Sequence, residues 1–219
     1  MSDEDRKRVS GILRALGKAY AHAHCELEHT DPLELLVATI LSAQCTDDRV
    51  NLVTRDLFRK YRTPQDYAGA PAAKLEKEIR PTGFFRAKTR SIQAACRMIV
   101  DRFGGKVPDR MEELIQLPGV ARKTAGVVLG VAFGKAEGIV VDTHVLRVAQ
   151  RLRLSRAHTP EKVEQNLMQI VPAQKWIDFS HQMIFHGRYT CKARKPLCSA
   201  CALQKLCDSK DKRLTADRS

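Results

Sequence analysis

Apolar residues return at intervals of three and four along almost the whole chain. Leu33, Leu35, Leu36, Ala38, Thr39, Ile40 and Leu41 make one such run, and Ile92, Ala95, Met98, Ile99 and Phe103 another. This is the face that an amphipathic helix buries. The spacing predicts helices at about 5–20, 33–43, 47–61, 72–79, 85–103, 110–117, 122–133, 143–154, 160–170 and 174–187, joined by short connections that carry Pro, Gly or Asp. No strand-like alternation of useful length occurs, nor an internal repeat or low-complexity tract. The prediction is an all-α chain whose polar stretch from Asp208 onward is frayed.

Charge narrows the partner. The 219 residues carry a formal net charge of +13, and with 29% charged residues this excess rides on a globular background. A basic surface gains affinity for nucleic acid by releasing counterions from phosphates. A membrane surface would call for an amphipathic or lipidated anchor, and neither is evident. The N-terminus M-S-D-E-D-R-K-R is charged where a signal peptide is apolar, and the run from Ala125 to Phe133 is too short to span a bilayer. The expectation is a soluble, intracellular monomer with no membrane partner, cytoplasmic or on the nucleoid if bacterial. In that reducing setting Cys25, Cys45 and Cys96 read as core residues, whereas Cys191, Cys198, Cys201 and Cys207 crowd together.

A candidate chemical centre begins at 110–134. A short amphipathic segment to Leu117, the turn P-G-V-A at 118–121 and a helix from Arg122 to Phe133 read as helix, tight turn, helix. Gly119 suits a positive φ, and the amides of the turn and first helical residues have no intrahelical partners, which favours a phosphate. An ordinary helix corner is the plainer alternative. Lys123 lies in the first helical turn beside Arg122. The neighbouring charge and the positive helix end both disfavour an ammonium, and a lysine that sheds its proton is a nucleophile able to form a Schiff base. By itself it also fits a phosphate contact. Asp142, in I-V-V-D-T-H at 139–144, suits an N-cap, a role compatible with facing a substrate. His144, Arg147, Arg151 and Arg153 are expected to serve a nucleic-acid backbone or solvent.

The pattern Cys191-x6-Cys198-x2-Cys201-x5-Cys207 supplies four thiolates, enough for a tetrahedral metal or for the four irons of one cubane cluster. A single C-x2-C flanked by wider gaps tilts toward iron–sulfur and leaves zinc open. Lys192, Arg194 and Lys195 make the intervening loop basic, so that a cluster holding it rigid would present a backbone contact.

Together L-P-G-V-A-R-K-T-A at 117–125, V-D-T-H at 141–144, H-G-R-Y-T-C at 186–191 and the cysteine loop resemble endonuclease III, a DNA glycosylase and abasic-site lyase of the helix-hairpin-helix superfamily. The resemblance runs from about Leu33 to Cys207. It implies two helical lobes with a DNA-binding cleft between them: a six-helix barrel at 25–135, and a cluster lobe built from 1–24 and 136–219. It implies that Lys123 is the Schiff-base lysine, Asp142 the catalytic aspartate, and the four cysteines the ligands of a [4Fe–4S] cluster. Gln44, in L-S-A-Q-C-T-D at 41–47, corresponds to a polar plug and Phe84, in T-G-F-F-R-A-K, to an apolar wedge that fills the stack after a nucleotide is extruded. Phe84 also fits a loop-anchoring aromatic.

Gly119, Val120, Ala121, Arg122, His144 and Lys195 complete the expected contacts to double-stranded DNA containing damaged bases or abasic sites. Ala121 replaces a glycine common in the hairpin, Gly126 an asparagine, and Phe84 a leucine. The implied activity is removal of oxidised pyrimidines followed by nicking. A monofunctional adenine-removing relative lacks a lysine at this point and normally carries a further domain. A non-catalytic DNA-binding module would leave the placement of Lys123 and Asp142 to coincidence.

Overall fold

A computed structural model describes residues 2–214. Among them the ordered elements are all helical, as the periodicity predicts: α1 (Asp3–Ala19), α2 (Pro32–Leu41), α3 (Asp47–Lys60), α4 (Pro64–Gly69), α5 (Ala72–Ile79), α6 (Phe85–Phe103), α7 (Met111–Leu114), α8 (Arg122–Phe133), α9 (Thr143–Arg151), α10 (Pro160–Met168) and α11 (Trp176–Phe185). The chain separates into two compact units: one runs through His24 and resumes at Gly138, and the other is Cys25–Glu137.

The unit Cys25–Glu137 is organised around α2. Seven of its ten residues are buried, which explains why that stretch is apolar on every side. Leu35, Leu36 and Leu41 from α2 meet Leu57, Leu75, Ile79, Ile92, Ile99, Val128 and Leu129 from the surrounding helices. Helix α4 has no counterpart among the predicted elements. It is too short for periodicity to reveal, but T-P-Q-D at 63–66 is a capping box with proline in the first turn: Thr63 accepts from the Asp66 amide and Asp66 from the Thr63 amide. The segment predicted as helix over 110–117 is α-helical only at Met111–Leu114. Its continuation tightens, with the Gln116 and Leu117 amides bonded three residues back to Glu113 and Leu114, because a residue before proline avoids the α region.

In the second unit Ile12 and Leu16 of α1, Val145 and Val148 of α9, Val163 and Leu167 of α10, and Phe179 and Met183 of α11 form the core, and Leu203 packs into it from the cysteine loop. A widened π turn, His186–Thr190, continues α11 directly into Cys191. The expectation of a frayed tail fails for Asp208 to Leu214. Asp208 lies 3.6 Å from Arg8, Asp211 2.6 Å from Arg151, and Lys212 donates to the Gln204 carbonyl at 2.6 Å. These charges fold the segment back over the cysteine loop. Residues 215–219 lie outside the described residues.

Candidate functional site

The hairpin at 117–122 is shaped by one glycine. Gly119 has φ +80°, and the Val120 amide closes the turn on the Leu117 carbonyl at 3.0 Å. That amide is therefore already satisfied and the Val120 side chain is buried, so the expectation that every turn amide is open needs correcting: Val120 anchors the turn. Ala121 is extended (φ −84°, ψ 168°), a conformation that needs no glycine, so the alanine found there costs no backbone strain. It cannot cap α8 with a side chain, unlike Asp31, Thr46, Thr63 and Asp142 on their helices. The first turn of α8 consequently presents amides without a side-chain cap, and Lys123 stands exposed among them. Arg122 reaches toward the Glu137 carbonyl at 3.5 Å.

Asp142 caps α9. A single carboxylate oxygen, Oδ1, accepts from the amides of His144 and Val145, both at 2.8 Å, which fixes the carboxylate and leaves Oδ2 for another donor. His144 is half-buried beside it; burial pushes its pKa down, opposed by the Asp142 charge. Its Cβ lies against Gly187, where an added Cβ would come within 2.7 Å, so the H-G-R-Y-T segment needs glycine for close approach. Arg147 and Arg151 depart from the expectation of backbone or solvent contact. Arg147 donates to the Gly187 carbonyl at 2.8 Å and the Cys191 carbonyl at 3.2 Å. Arg151 donates to the Lys192 carbonyl at 2.7 Å and to the Cys191 sulfur at 3.4 Å. An irregular loop has carbonyls with no helical partner, and these two guanidiniums supply the donors.

The four cysteines share one cavity, lined also by Arg151, His186 and Leu203. Burial pushes the Cys191 thiol up while Arg151 and Arg147 pull it toward the thiolate. The Cys201 thiol is likewise raised by burial, against a hydrogen bond from the Leu203 amide at 3.4 Å. Thiolates are the form that ligates metal, so cations around the loop favour ligation. Among the described residues no three His, Cys, Asp or Glu side chains are drawn together as ligands of one metal ion.

Gln44 and Phe84 share an unusual backbone. Among the described residues four non-glycine residues have positive φ: Gln44 (54°), Phe84 (48°), Arg153 (51°) and Lys195 (51°). Gln44, Phe84 and Lys195 are among the DNA contacts expected from the sequence, and Arg153 is expected to serve a nucleic-acid backbone or solvent. Each costs about 1 kcal/mol or more and persists only where the surroundings impose it, a feature concentrated at functional sites. Gln44 and Lys195 are exposed, and Phe84 exposes 64% of its surface at the start of α6.

Residues 37–173 match the family described as HhH-GPD superfamily base excision DNA repair protein, which defines the class. Over nearly its whole length the chain is similar to endonuclease III of Synechocystis sp. (strain ATCC 27184 / PCC 6803 / Kazusa), 52% identical with 93% of each chain covered. It is 47% identical to endonuclease III of Bacillus subtilis (strain 168), with 94% of each covered. A solved structure of a trapped endonuclease III–DNA covalent intermediate, in an estranged-adenine complex, superposes with a TM-score of 0.89 at 49% identity, over 93% of this chain and 95% of that one. The chain belongs to the endonuclease III family, as its motifs imply. It is a base-excision repair enzyme, a DNA glycosylase and abasic-site lyase, of a cofactor-bearing family. Among the described residues no helix is long and apolar enough to cross a membrane.

Proposed function

We propose that this enzyme removes oxidised pyrimidines from duplex DNA and nicks the abasic site, with Lys123 as the nucleophile. The observation that carries this reading is Lys123 exposed in the uncapped first turn of α8, directly after the hairpin. The neutral amine attacks C1′ of the extruded nucleotide, and the bond from C1′ to the base breaks with its electron pair leaving on the base. Loss of a proton from nitrogen and opening of the sugar give a Schiff base. Removal of a C2′ proton then expels the 3′ phosphate by β-elimination. Asp142, held through Oδ1, stabilises the positive charge that develops on the sugar. The similar structure named as a covalent intermediate supports a nucleophilic route.

The amides of Gly119, Ala121 and Arg122 bind a phosphate, with Val120 as their buried support. Gln44 and Phe84 enter the duplex, and His144 and Lys195 contact the backbone. Cys191, Cys198, Cys201 and Cys207 fit a [4Fe–4S] cluster, one thiolate per iron around their common cavity. Bound there, the cluster would supply a redox-capable centre and a rigid core for the basic loop. The chain acts as an intracellular monomer, cytoplasmic or on the nucleoid if bacterial, and its charge of +13 supports the binding of duplex DNA.

The test is borohydride trapping on a duplex with one abasic site. Wild type forms a covalent adduct. Lys123→Ala and Lys123→Arg form none, and the arginine variant still binds. An adduct of wild-type yield from Lys123→Ala would remove the nucleophile assignment.

A further inference from the structure

The Lys88 amine lies inside the unit Cys25–Glu137, with the residue 5% exposed, and donates to two backbone carbonyls far apart in sequence: Leu41 at 2.8 Å and Thr82 at 2.8 Å. Leu41 is the last residue of α2, three before Gln44. Thr82 ends the short 3-10 turn Arg80–Thr82, two before Phe84. Both carbonyls sit where a helix runs out of amide partners: the Cys45 amide, which a continued helix would give to Leu41, bonds to Ser42 instead. A cation at the C-terminal end of α2 is also favoured by the helix dipole.

Among the described residues no carboxylate pairs with this ammonium; the Cys45 thiol is the titratable group within electrostatic reach, and burial lowers the Lys88 pKa. Burying a lysine amine is costly, and core packing would be met by an aliphatic side chain. What the amine adds is a fixed distance between two loops. Each carries an exposed, left-handed, non-glycine residue, and the chain that joins them through α3, α4 and α5 is long.

We propose that Lys88 is a positioning residue that ties the Gln44 and Phe84 loops into one rigid element, so that plug and wedge enter the duplex together. The proposal rests on the reading that Gln44 and Phe84 are inserted into DNA. Lys88 itself, buried in the unit, touches neither substrate nor Lys123 chemistry; its influence passes through the two carbonyls.

The test compares trapping rates at limiting enzyme on an abasic site in duplex and in the same single strand, which offers no stack to enter. Lys88→Met, of similar volume but with no donor, lowers the duplex-to-single-strand ratio about tenfold, the order of one lost stacking contact. A general folding defect would lower both rates alike, and a loss shared equally by both substrates, or no loss, overturns the proposal. Gln44→Ala and Phe84→Ala run in parallel: if neither alters the ratio, the insertion reading falls, whereas if both lower it and Lys88→Met does not, the tie alone falls. Should Lys88→Met not fold, the otherwise intact chain decides. Tied loops make Gln44→Ala with Phe84→Ala lose less than the product of the two single losses, and a full product overturns the tie.

Discussion

Gly119 lies so close to Ser91 that a Cβ added to the glycine would sit 2.5 Å from the Ser91 Cβ. The hairpin turn is thus seated directly on α6, and its positive φ and its missing side chain are separate requirements on one position. Gly119→Ala should cost about 1 kcal/mol for the left-handed conformation and roughly 1–3 kcal/mol more for the clash. Gly134→Ala, with φ +64° and open space around it, should cost only the first part. Chemical denaturation of the two variants measures the difference. Ser91→Gly should recover part of the Gly119→Ala loss, and a recovery of nothing would mean that the clash is relieved by other movement.

Asp142 carries two roles that substitution can separate. Asparagine is as good an N-cap as aspartate, so Asp142→Asn should keep stability within about 0.5 kcal/mol while losing the charge. Asp142→Ala should lose about 1 kcal/mol through the His144 and Val145 amides left without their acceptor. If the carboxylate stabilises the sugar cation, both variants should be slower by about 100-fold or more in base release. Base release by Asp142→Asn at the wild-type rate would reduce the residue to a cap.

Acid should weaken the fold through His181. Burial lowers its pKa below the ordinary histidine value, with Asp178 opposing and His24 adding to the effect. Unfolded, the ring takes up a proton near pH 6.5, whereas folded it does so only at lower pH. Below 6.5 the unfolded chain therefore binds more protons. The contribution is fully present above that pH and is lost as the pH falls through the window between the two values. Melting temperature should drop between pH 7.5 and 5.5, with a shallower slope for His181→Gln. An unchanged slope would assign the acid sensitivity elsewhere.

Periodicity made the long helices legible because their buried faces repeat over several turns, as in α2 and α6. It missed α4, whose six residues give less than two turns of pattern, although the capping box was in view. The hairpin glycine, the Asp142 cap and the cysteine group could be read because each depends on a residue type at a fixed local spacing. Lys88, Arg147 and Arg151 could not. Their main partners are backbone carbonyls, Leu41 and Thr82 for Lys88, Gly187 and Cys191 for Arg147, and Lys192 and Ala193 for Arg151, and a carbonyl leaves no mark in a sequence. The tail was misread for a related reason: Asp208 and Asp211 look solvated until Arg8 and Arg151 are brought beside them.

Arg151 binds the start of the cysteine loop at several points. One nitrogen of its guanidinium donates to the Lys192 carbonyl and the Cys191 sulfur, the other to the Ala193 carbonyl at 3.3 Å, and Asp211 closes over it. Its side chain is only 14% exposed, so methionine can replace its bulk without its donors. Arg151→Met should leave α9 folded, since the lost contacts all lie on the loop and tail. It should weaken retention of the proposed cluster by roughly 10- to 100-fold, the usual consequence of removing a group that orients ligands. Iron released to a chelator over time, followed against the loss of visible absorbance, measures this directly. Asp211→Asn tests the same chain of contacts from its outer end and should have a smaller effect in the same direction, because the Asp211 carboxylate is half in solvent and Arg151 keeps its carbonyl partners. Iron release from Arg151→Met at the wild-type rate would show that the four thiolates hold the group without help from the guanidinium.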